Sequence, residues 1–154
     1  MPDLFVRQAE VSDTEEIAAM CALLWPDATF EEHMAETELL LRTRMCGTLP
    51  GTIFVSEDDQ KRLTGFLLVG LRSHADGCDP SHPVGYIEGW FVYEPYRRSG
   101  LGTALVRAAE EWARSLNCKE IASDTWSDER NALEAHEAQG FEIVDRCIHL
   151  RKQL

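Results

Sequence analysis

A glycine-rich hexapeptide, Arg97 to Gly102, stands where an apolar segment ends and a helical pattern begins. A turn of this kind leaves several main-chain N–H groups without partners and places them at the positive end of a helix dipole. Such N–H groups bind phosphate without requiring basic side chains. The segment therefore predicts a pyrophosphate site at the start of this helix.

The spacing of the glycines separates three kinds of phosphate-binding turn. A dinucleotide-binding fingerprint needs a third glycine three positions after Gly102, where Leu105 stands. A Walker-type loop needs Gly-Lys followed by Ser or Thr, which the chain lacks. The remaining pattern, Arg/Gln-x-x-Gly-x-Gly/Ala, is matched at each position. A glycine turn that only eases entry into a helix is the alternative interpretation.

Two carboxylates are placed where they could bind a cationic ligand. Glu88 lies inside an apolar predicted strand, where a charge is costly unless it faces a cleft or a partner. Asp124 ends the next predicted strand, and its alternative role is to cap a turn. Because both positions lie on the same side of the predicted sheet, they predict an acidic cleft suited to a polycation.

Apolar periodicity predicts the order β-α-α-β-β-β-α-β-α-β. The predicted strands are residues 4–8, 52–55, 64–71, 86–93, 119–123 and 141–150. Helices are predicted to end near residues 24 and 46, and to cover 101–116 and 128–139. Capping boxes are predicted for the first two helices, from Ser12 with Glu15 and from Thr29 with Glu32.

Composition limits the class of protein. The 154 residues are 44% apolar, as expected for one domain spanning residues 1–154. The formal net charge of −12 disfavours nucleic acid and anionic membranes as partners. Five scattered cysteines predict neither a disulfide framework nor a metal site. With no signal-peptide pattern and no apolar run long enough to span a membrane, we expect a cytoplasmic location.

The glycine motif and the element order together resemble the GNAT acetyltransferase superfamily over nearly the whole chain. Further landmarks resemble the aminoglycoside 6′-N-acetyltransferases within it. They are Gly77-Cys78-Asp79, Glu88-Gly89 with Phe91-Val92, Ala122-Ser123-Asp124-Thr125, and His136 with Gly140-Phe141-Glu142. The resemblance implies an α/β (α+β) single-domain fold with a central mixed, mostly antiparallel sheet, flanked by helices and splayed between its fourth and fifth strands.

The same resemblance implies acetyl-CoA as co-substrate, with its pantetheine arm in the gap between the splayed strands. The implied contacts are the strand edge at Trp90, Phe91 and Val92, the loop residues Arg97, Arg98, Ser99, Gly100, Leu101, Gly102 and Thr103, and the side chain of Asn131. Core packing for the strand residues and helix N-terminal polarity for Asn131 are the alternatives.

The acceptor implied by the resemblance is the 6′-amino group of an aminoglycoside, attacked directly in a ternary complex. Glu88, Asp124 and Asp145 would contact its amines, with Glu88 also acting as a base through water, and Trp25 would pack on a sugar ring. His136 stands where many GNAT enzymes carry a tyrosine that protonates the leaving thiolate, a task open to histidine. Trp25 and His136 could equally be core residues, and Asp145 an exposed one.

Two departures from the subfamily bear on the acceptor. The loop at residues 72–83 has Ser73-His74-Ala75-Asp76 where an aromatic residue is expected, and the chain ends Ile148-His149-Leu150 without the usual tyrosine. A GNAT enzyme acting on another small amine or a peptide amine, and a non-catalytic acetyl-CoA-binding module, are therefore the alternative functions. The resemblance also implies a homodimer, and we expect no metal.

Overall fold

The computed structural model describes residues 5–154. This part of the chain forms six strands and four α-helices. The strands are β1 (Phe5–Gln8), β2 (Met45–Cys46), β3 (Leu49–Glu57), β4 (Leu63–Arg72), β5 (Val84–Val92) and β6 (Ile121–Ser123). The helices are α1 (Thr14–Leu24), α2 (Phe30–Thr43), α3 (Leu101–Ser115) and α4 (Arg130–Ala138).

The strands make one sheet in the order β1-β3-β4-β5-β6, and β2 pairs with β3 outside this path. The pairings among β1, β3, β4 and β5 are antiparallel, whereas β6 runs parallel to β5. A parallel neighbour requires a crossover, which here contains α3. The predicted fold class, a mixed and mostly antiparallel sheet flanked by helices, is confirmed.

Helices cover both faces of the sheet. On one face, α1 and α2 pack on β3 and β4 through a core that includes Ile17, Met20 and Phe66. On the other face, α3 packs on β4 and β5 through Leu105, Val106 and Ala109, all fully buried. We call these the α1/α2 face and the α3 face. Because strand side chains alternate between faces, each residue of β5 is assigned to one of two chemical environments.

A β-bulge interrupts β5. Leu68 of β4 pairs with Gly89, but its neighbour Val69 pairs with Ile87, so Glu88 is an extra residue without a partner across the ladder. Beyond this point β6 no longer follows β5, since their pairing ends at Ile87 with Ser123. Bulges bend a strand and increase its twist. The second half of β5 therefore has an open edge. It lies between β5 and β6, which are the fourth and fifth of the predicted strands, where the splay is predicted.

Two local predictions at the helix starts have different outcomes. The capping box of Thr29 and Glu32 is confirmed, with both of its hydrogen bonds present. The predicted box of Ser12 and Glu15 is wrong, because α1 starts at Thr14 and Asp13 is its N-cap. Asp13 is held by two hydrogen bonds from Arg7, at 2.8 and 2.9 Å. These bonds lower the pKa of Asp13. Asp13 also accepts from Glu10 N–H at 2.8 Å, in a capping box around the short 3-10 turn Val11–Asp13 that precedes α1.

The predicted closing strand at residues 141–150 is wrong for the single chain. Residues 141–154, which we call the C-terminal arm, form no regular secondary structure. Beyond Phe141 the arm makes no hydrogen bond to another main-chain group in the described part of the chain. Its side chains beyond Phe141 are exposed, including Ile148 (83%) and Leu150 (91%). A strand needs a partner for its N–H and C=O groups, and this segment has none here.

Candidate active site

The loop before α3 is a cradle of free N–H groups. None of the N–H groups of residues 98–103 donates to an acceptor in the described part of the chain, and the first such bond at the start of α3 is Ala104 N–H to Gly100 O, at 3.0 Å. Gly100 caps the helix with φ of 90°, and Arg98 has φ of 61°. These left-handed residues turn the chain so that successive N–H groups converge, and the first turn of α3 contains no acidic residue. The arrangement fits a pyrophosphate.

The bulge decides which groups of β5 line the gap. Gly85 donates its N–H to Glu120 O on the β6 side, whereas Tyr93 donates to Thr64 O on the β4 side. In a regular strand, residues an even number apart direct their N–H and C=O groups to the same neighbouring strand. Gly85 and Tyr93 are eight residues apart but donate to opposite sides, because Glu88 is an extra residue between them. Beyond the bulge, Trp90 and Val92 point their N–H and C=O groups into the gap, while Phe91 pairs with Phe66. Of the three residues predicted to form the open strand edge, Trp90 and Val92 have main-chain groups that face the gap, and Phe91 does not.

Side chains around the loop organise the same corner. The Arg97 guanidinium donates to Val92 O at 2.8 Å, and it thereby covers one of the gap-facing carbonyls. The Ser99 hydroxyl donates to Tyr96 O within the turn. Gln139 at the end of α4 donates to the Thr103 hydroxyl at 2.9 Å, which ties α4 to the start of α3. These bonds hold the loop in place and leave its N–H groups exposed.

Glu88 lies on the α1/α2 face and is paired with a cation. Arg72, at the end of β4, donates from Nε and Nη2 to its two carboxylate oxygens at 2.9 and 2.8 Å. The hydrogen bond to Glu88 raises the pKa of Arg72 further above its ordinary value. A planar guanidinium on a carboxylate in this two-point arrangement is the strongest common form of ion pair.

Asp124 is connected to the same cluster. The Tyr86 hydroxyl donates to Asp124 Oδ2 at 2.8 Å, and the Arg72 guanidinium lies 3.5 Å from the centre of the Tyr86 ring. Burial, followed by the hydrogen bond to Asp124, raises the pKa of Tyr86. The phenol therefore stays protonated at neutral pH and keeps donating to Asp124. We call Arg72, Tyr86, Glu88 and Asp124 the acidic cluster.

Trp25 packs next to this cluster, at the end of α1. Its ring lies against Gly89, where an added Cβ would come within 2.4 Å of the indole. The buried His33 ring nitrogen bonds Trp25 O at 3.0 Å, which holds the turn that follows the helix. Beside Trp25, between α2 and β4, is a cavity of about 300 Å³ with Glu36 at its rim. Trp25 is partly exposed, so it packs on the sheet and also forms part of the wall of this cavity.

His136 lies on the opposite face of the sheet. Its ring contacts Trp90 edge-on, with centroids 5.3 Å apart. Nδ1 is 2.7 Å from Ala132 O, and a carbonyl only accepts, so Nδ1 carries a proton. In the neutral ring Nε2 is then the acceptor, and the Ser123 hydroxyl donates to it at 2.8 Å. Ser123 stands at the end of β6, where the gap begins.

The remaining predicted residues lie apart from these groups. Asn131 is exposed in the first turn of α4. Asp145 is exposed on the C-terminal arm, where one of its oxygens accepts only from the neighbouring Arg146 N–H. Within residues 5–154 it makes no hydrogen bond to Glu88, Asp124 or Trp25, because the arm that carries it is not paired to the sheet.

Three residues that contact the predicted ones were not predicted from the sequence: Arg72, Tyr86 and Ser123. A charged residue that ends an apolar strand was a signal available for Arg72. Its pairing with Glu88 depends on the register across the bulge, which the sequence does not reveal. Ser123 became recognisable only once His136 was placed beside it.

Other kinds of site are not evident in the described residues. All five cysteines are free thiols. Burial raises the pKa of the Cys78 thiol, which makes it a poor nucleophile. Among residues 5–154, no group of three or more His, Cys, Asp or Glu side chains could hold a metal ion. Nor does this part of the chain contain a helix long and apolar enough to cross a membrane.

A splayed sheet with an N–H cradle at the end of the strand beside the gap is the arrangement of an acetyl-CoA-dependent acyltransferase. The chain belongs to the acetyltransferase (GNAT) family, whose pattern it matches over residues 17–141. Members of this family use acetyl-CoA as acyl donor, and the cradle and the open β5 edge fit such a molecule.

Similar proteins of known name are aminoglycoside acetyltransferases. The chain is 36% identical to the aminoglycoside N(6′)-acetyltransferase type 1 of Klebsiella aerogenes, over 97% of this chain and 96% of that protein. It is 34% identical to that of Stenotrophomonas maltophilia, over 97% and 93%. The solved structure of AAC(6′)-Iy with the bisubstrate analogue CoA-S-monomethyl-acetylneamine superposes with a TM-score of 0.86 at 30% identity, covering 98% of this chain and 99% of that one.

We predict that Gly100→Ala weakens CoA binding at least about tenfold in calorimetric titration. A side chain at φ of 90° costs about 1–2 kcal/mol, and relaxation of that strain turns the N–H groups away from one another. Gly47→Ala is the matched control, because Gly47 also has positive φ (67°) and has space for a Cβ. Both variants should lose similar stability, but only Gly100→Ala should lose affinity. Equal affinities would show that the cradle does not bind CoA.

Proposed function

We propose that this protein transfers the acetyl group of acetyl-CoA to the 6′-amino group of aminoglycosides, within one domain and in the cytoplasm. The observation that carries the proposal is the bulge at Glu88, which places an open edge of β5 next to a carboxylate and to the Trp25 ring. The sequence similarity to named aminoglycoside N(6′)-acetyltransferases supports the same acceptor.

The donor side rests on main-chain groups. The free N–H groups of residues 98–103 would hold the pyrophosphate, and the gap-facing groups of Trp90 and Val92 would pair with the pantetheine arm. Asn131 would add a side-chain contact from α4. Bound there, the co-substrate supplies an activated acetyl thioester. A gap-facing N–H on β5 can stabilise negative charge on the thioester oxygen, as main-chain donors do in other acyl transfers.

The acceptor side rests on carboxylates and aromatic faces. Glu88 and Asp124 would bind ammonium groups of a polycationic substrate, and the Trp25 indole would pack on a sugar ring. Only a deprotonated amine attacks a thioester, so a base is needed, and Glu88 can take the proton through a water molecule. This layout supports direct attack in a ternary complex, since acceptor and donor would reach β5 from different sides.

Protonation of the leaving thiolate is assigned to the α3 face. His136 is hydrogen-bonded on both nitrogens, and Ser123 supplies the hydrogen of the bond at Nε2. We infer that the proton is relayed by His136 and Ser123: His136 with a proton on both ring nitrogens gives the Nε2 proton to Ser123 Oγ, while the Ser123 hydroxyl gives its own hydrogen to the thiolate. His136 then takes a new proton from water. Glu88 and the Ser123–His136 pair lie on opposite faces of the sheet. Glu88 would therefore take the proton of the acceptor amine on one face, while the pair would protonate the thiolate from the other face.

The proposed function is tested by mixing the protein with acetyl-CoA and kanamycin or tobramycin and measuring free thiol. We expect release that depends on both substrates, and none with an analogue that carries a hydroxyl in place of the 6′-amine. CoA binding without release for any 6′-amino aminoglycoside would contradict the proposal and favour a non-catalytic acetyl-CoA-binding module. Release only with other amines would favour an enzyme for a different small amine or peptide.

Glu88→Gln separates acceptor binding from donor binding. We predict that kcat/KM for the aminoglycoside falls about 10- to 100-fold, the usual effect of losing a charge-assisted hydrogen bond, while the KM for acetyl-CoA is unchanged. The control is Glu38→Gln, which removes an exposed carboxylate paired with Arg42 on α2 and should change neither constant. If CoA affinity fell as much as turnover, Glu88 would be a structural residue.

We propose further that the protein is a homodimer in which each C-terminal arm pairs with the partner's sheet. Beyond Phe141 the arm has exposed apolar side chains such as Ile148 and Leu150, and its main-chain groups make no hydrogen bond to another main-chain group in the described part of the chain. It also carries three basic residues, Arg146, Arg151 and Lys152, on a chain of net charge −12. Pairing would satisfy these groups, and it would fix the place of Asp145, which could then contribute a third acidic contact.

Light scattering after size exclusion tests the dimer. We expect twice the 17.4 kDa chain mass for the wild type and the single chain mass for Ile148→Asp combined with Leu150→Asp. Leu23→Asp, on the exposed side of α1, introduces the same charge elsewhere and should leave the mass unchanged. A wild type that elutes as a monomer at micromolar concentration would show that the proposed dimer is wrong.

A further inference from the structure

Arg72 is a positive side chain placed among groups suited to bind a positive substrate. It makes two hydrogen bonds to Glu88, and its guanidinium lies 3.5 Å from the centre of the Tyr86 ring. A carboxylate and an aromatic face are the two partners that recognise ammonium groups in proteins. The Arg72 guanidinium thus lies where an ammonium group of a ligand could bind to the acidic cluster.

The guanidinium is free to leave. The Arg72 side chain is 44% exposed and the Glu88 side chain 26% exposed, so neither charge is enclosed in the core. Arginine is long and flexible, and its head can move into water while its stem stays on the sheet. Solvent screens a pair that is exposed to this extent, so a polycation that offers several ammonium groups can compete with the two-point bond.

We propose that Arg72 is a specificity-determining residue, an internal competitor whose guanidinium must leave Glu88 before an acceptor amine can bind there. The inference rests on the proposed function, because it takes the cationic acceptor to bind at Glu88. An acceptor with a single ammonium group gains one ion pair and breaks another. A polycation gains further pairs, at Asp124 for example. Arg72 thereby sets a minimum charge for the acceptor.

The test compares Arg72→Gln with the wild type for two acceptors, tobramycin and the monoamine 6-amino-6-deoxyglucose. We expect the KM for tobramycin to fall about two- to fivefold, the size of effect typical of one half-exposed ion pair, with the KM for acetyl-CoA unchanged. The kcat/KM for the monoamine should rise by a larger factor than that for tobramycin. A raised or unchanged KM for tobramycin would overturn the proposal, since Arg72 would then only position Glu88.

Two further variants define where Arg72 acts. In a Glu88→Gln background, Arg72→Gln should lower the KM no further, because the contested carboxylate is gone. Arg72→Lys, which keeps the charge but not the two-point bond, should fall between the wild type and Arg72→Gln. An equal drop in KM with and without Glu88 would show a general charge effect and contradict competition at that carboxylate.

Arg42→Gln is the matched control, because it removes the same charge from an exposed pair on α2. It should change neither KM. Failure of the proposed function is recognised separately, since the wild type would then release no thiol with any aminoglycoside. If the wild type is active and Arg72→Gln does not lower the acceptor KM, the competitor role alone is wrong.

Discussion

One inserted residue in β5 is the constraint on which the site depends. Before Glu88 the strand donates from Gly85 to the β6 side, and after it Tyr93 donates to the β4 side. The pairing with β6 stops at Ile87, and the part of β5 beyond the bulge is left with an open edge. The same insertion turns a carboxylate toward the α1/α2 face. Donor gap and acidic cleft are therefore two results of a single irregularity in the ladder.

Both carboxylates of the acidic cluster are hydrogen-bonded within the protein, and the chain as a whole is strongly acidic. The net charge of −12 attracts cations to the surface generally, but Glu88 and Asp124 are each already engaged by Arg72 or Tyr86. Such engagement holds the carboxylates in fixed orientations before any ligand arrives. The cost is that a ligand can bind these carboxylates only by replacing a hydrogen bond that they already make within the protein.

Features that depend on residues close together in the sequence were predictable, and those that depend on contacts between different elements were not. The glycine loop, the second capping box and the order of elements follow from local spacing. The Arg72–Glu88 pair needs the register of β4 on β5, including the bulge. The start of α1 differs from the prediction because Asp13 belongs to a capping box with Glu10, and it also receives two hydrogen bonds from Arg7 of β1. The closing strand failed for a related reason. Alternating apolar residues indicate a strand, but the arm has no edge to pair with in its own chain.

Recognition of the donor through main-chain N–H groups has an evolutionary consequence. Every residue type except proline offers the same N–H, so the cradle at residues 98–103 tolerates drift in most of its side chains as long as the left-handed turns persist. The acidic cluster proposed for the acceptor, in contrast, consists of individual side chains that a single codon change can alter. Selection for a different acceptor can therefore change one half of the site while the other half is inherited intact.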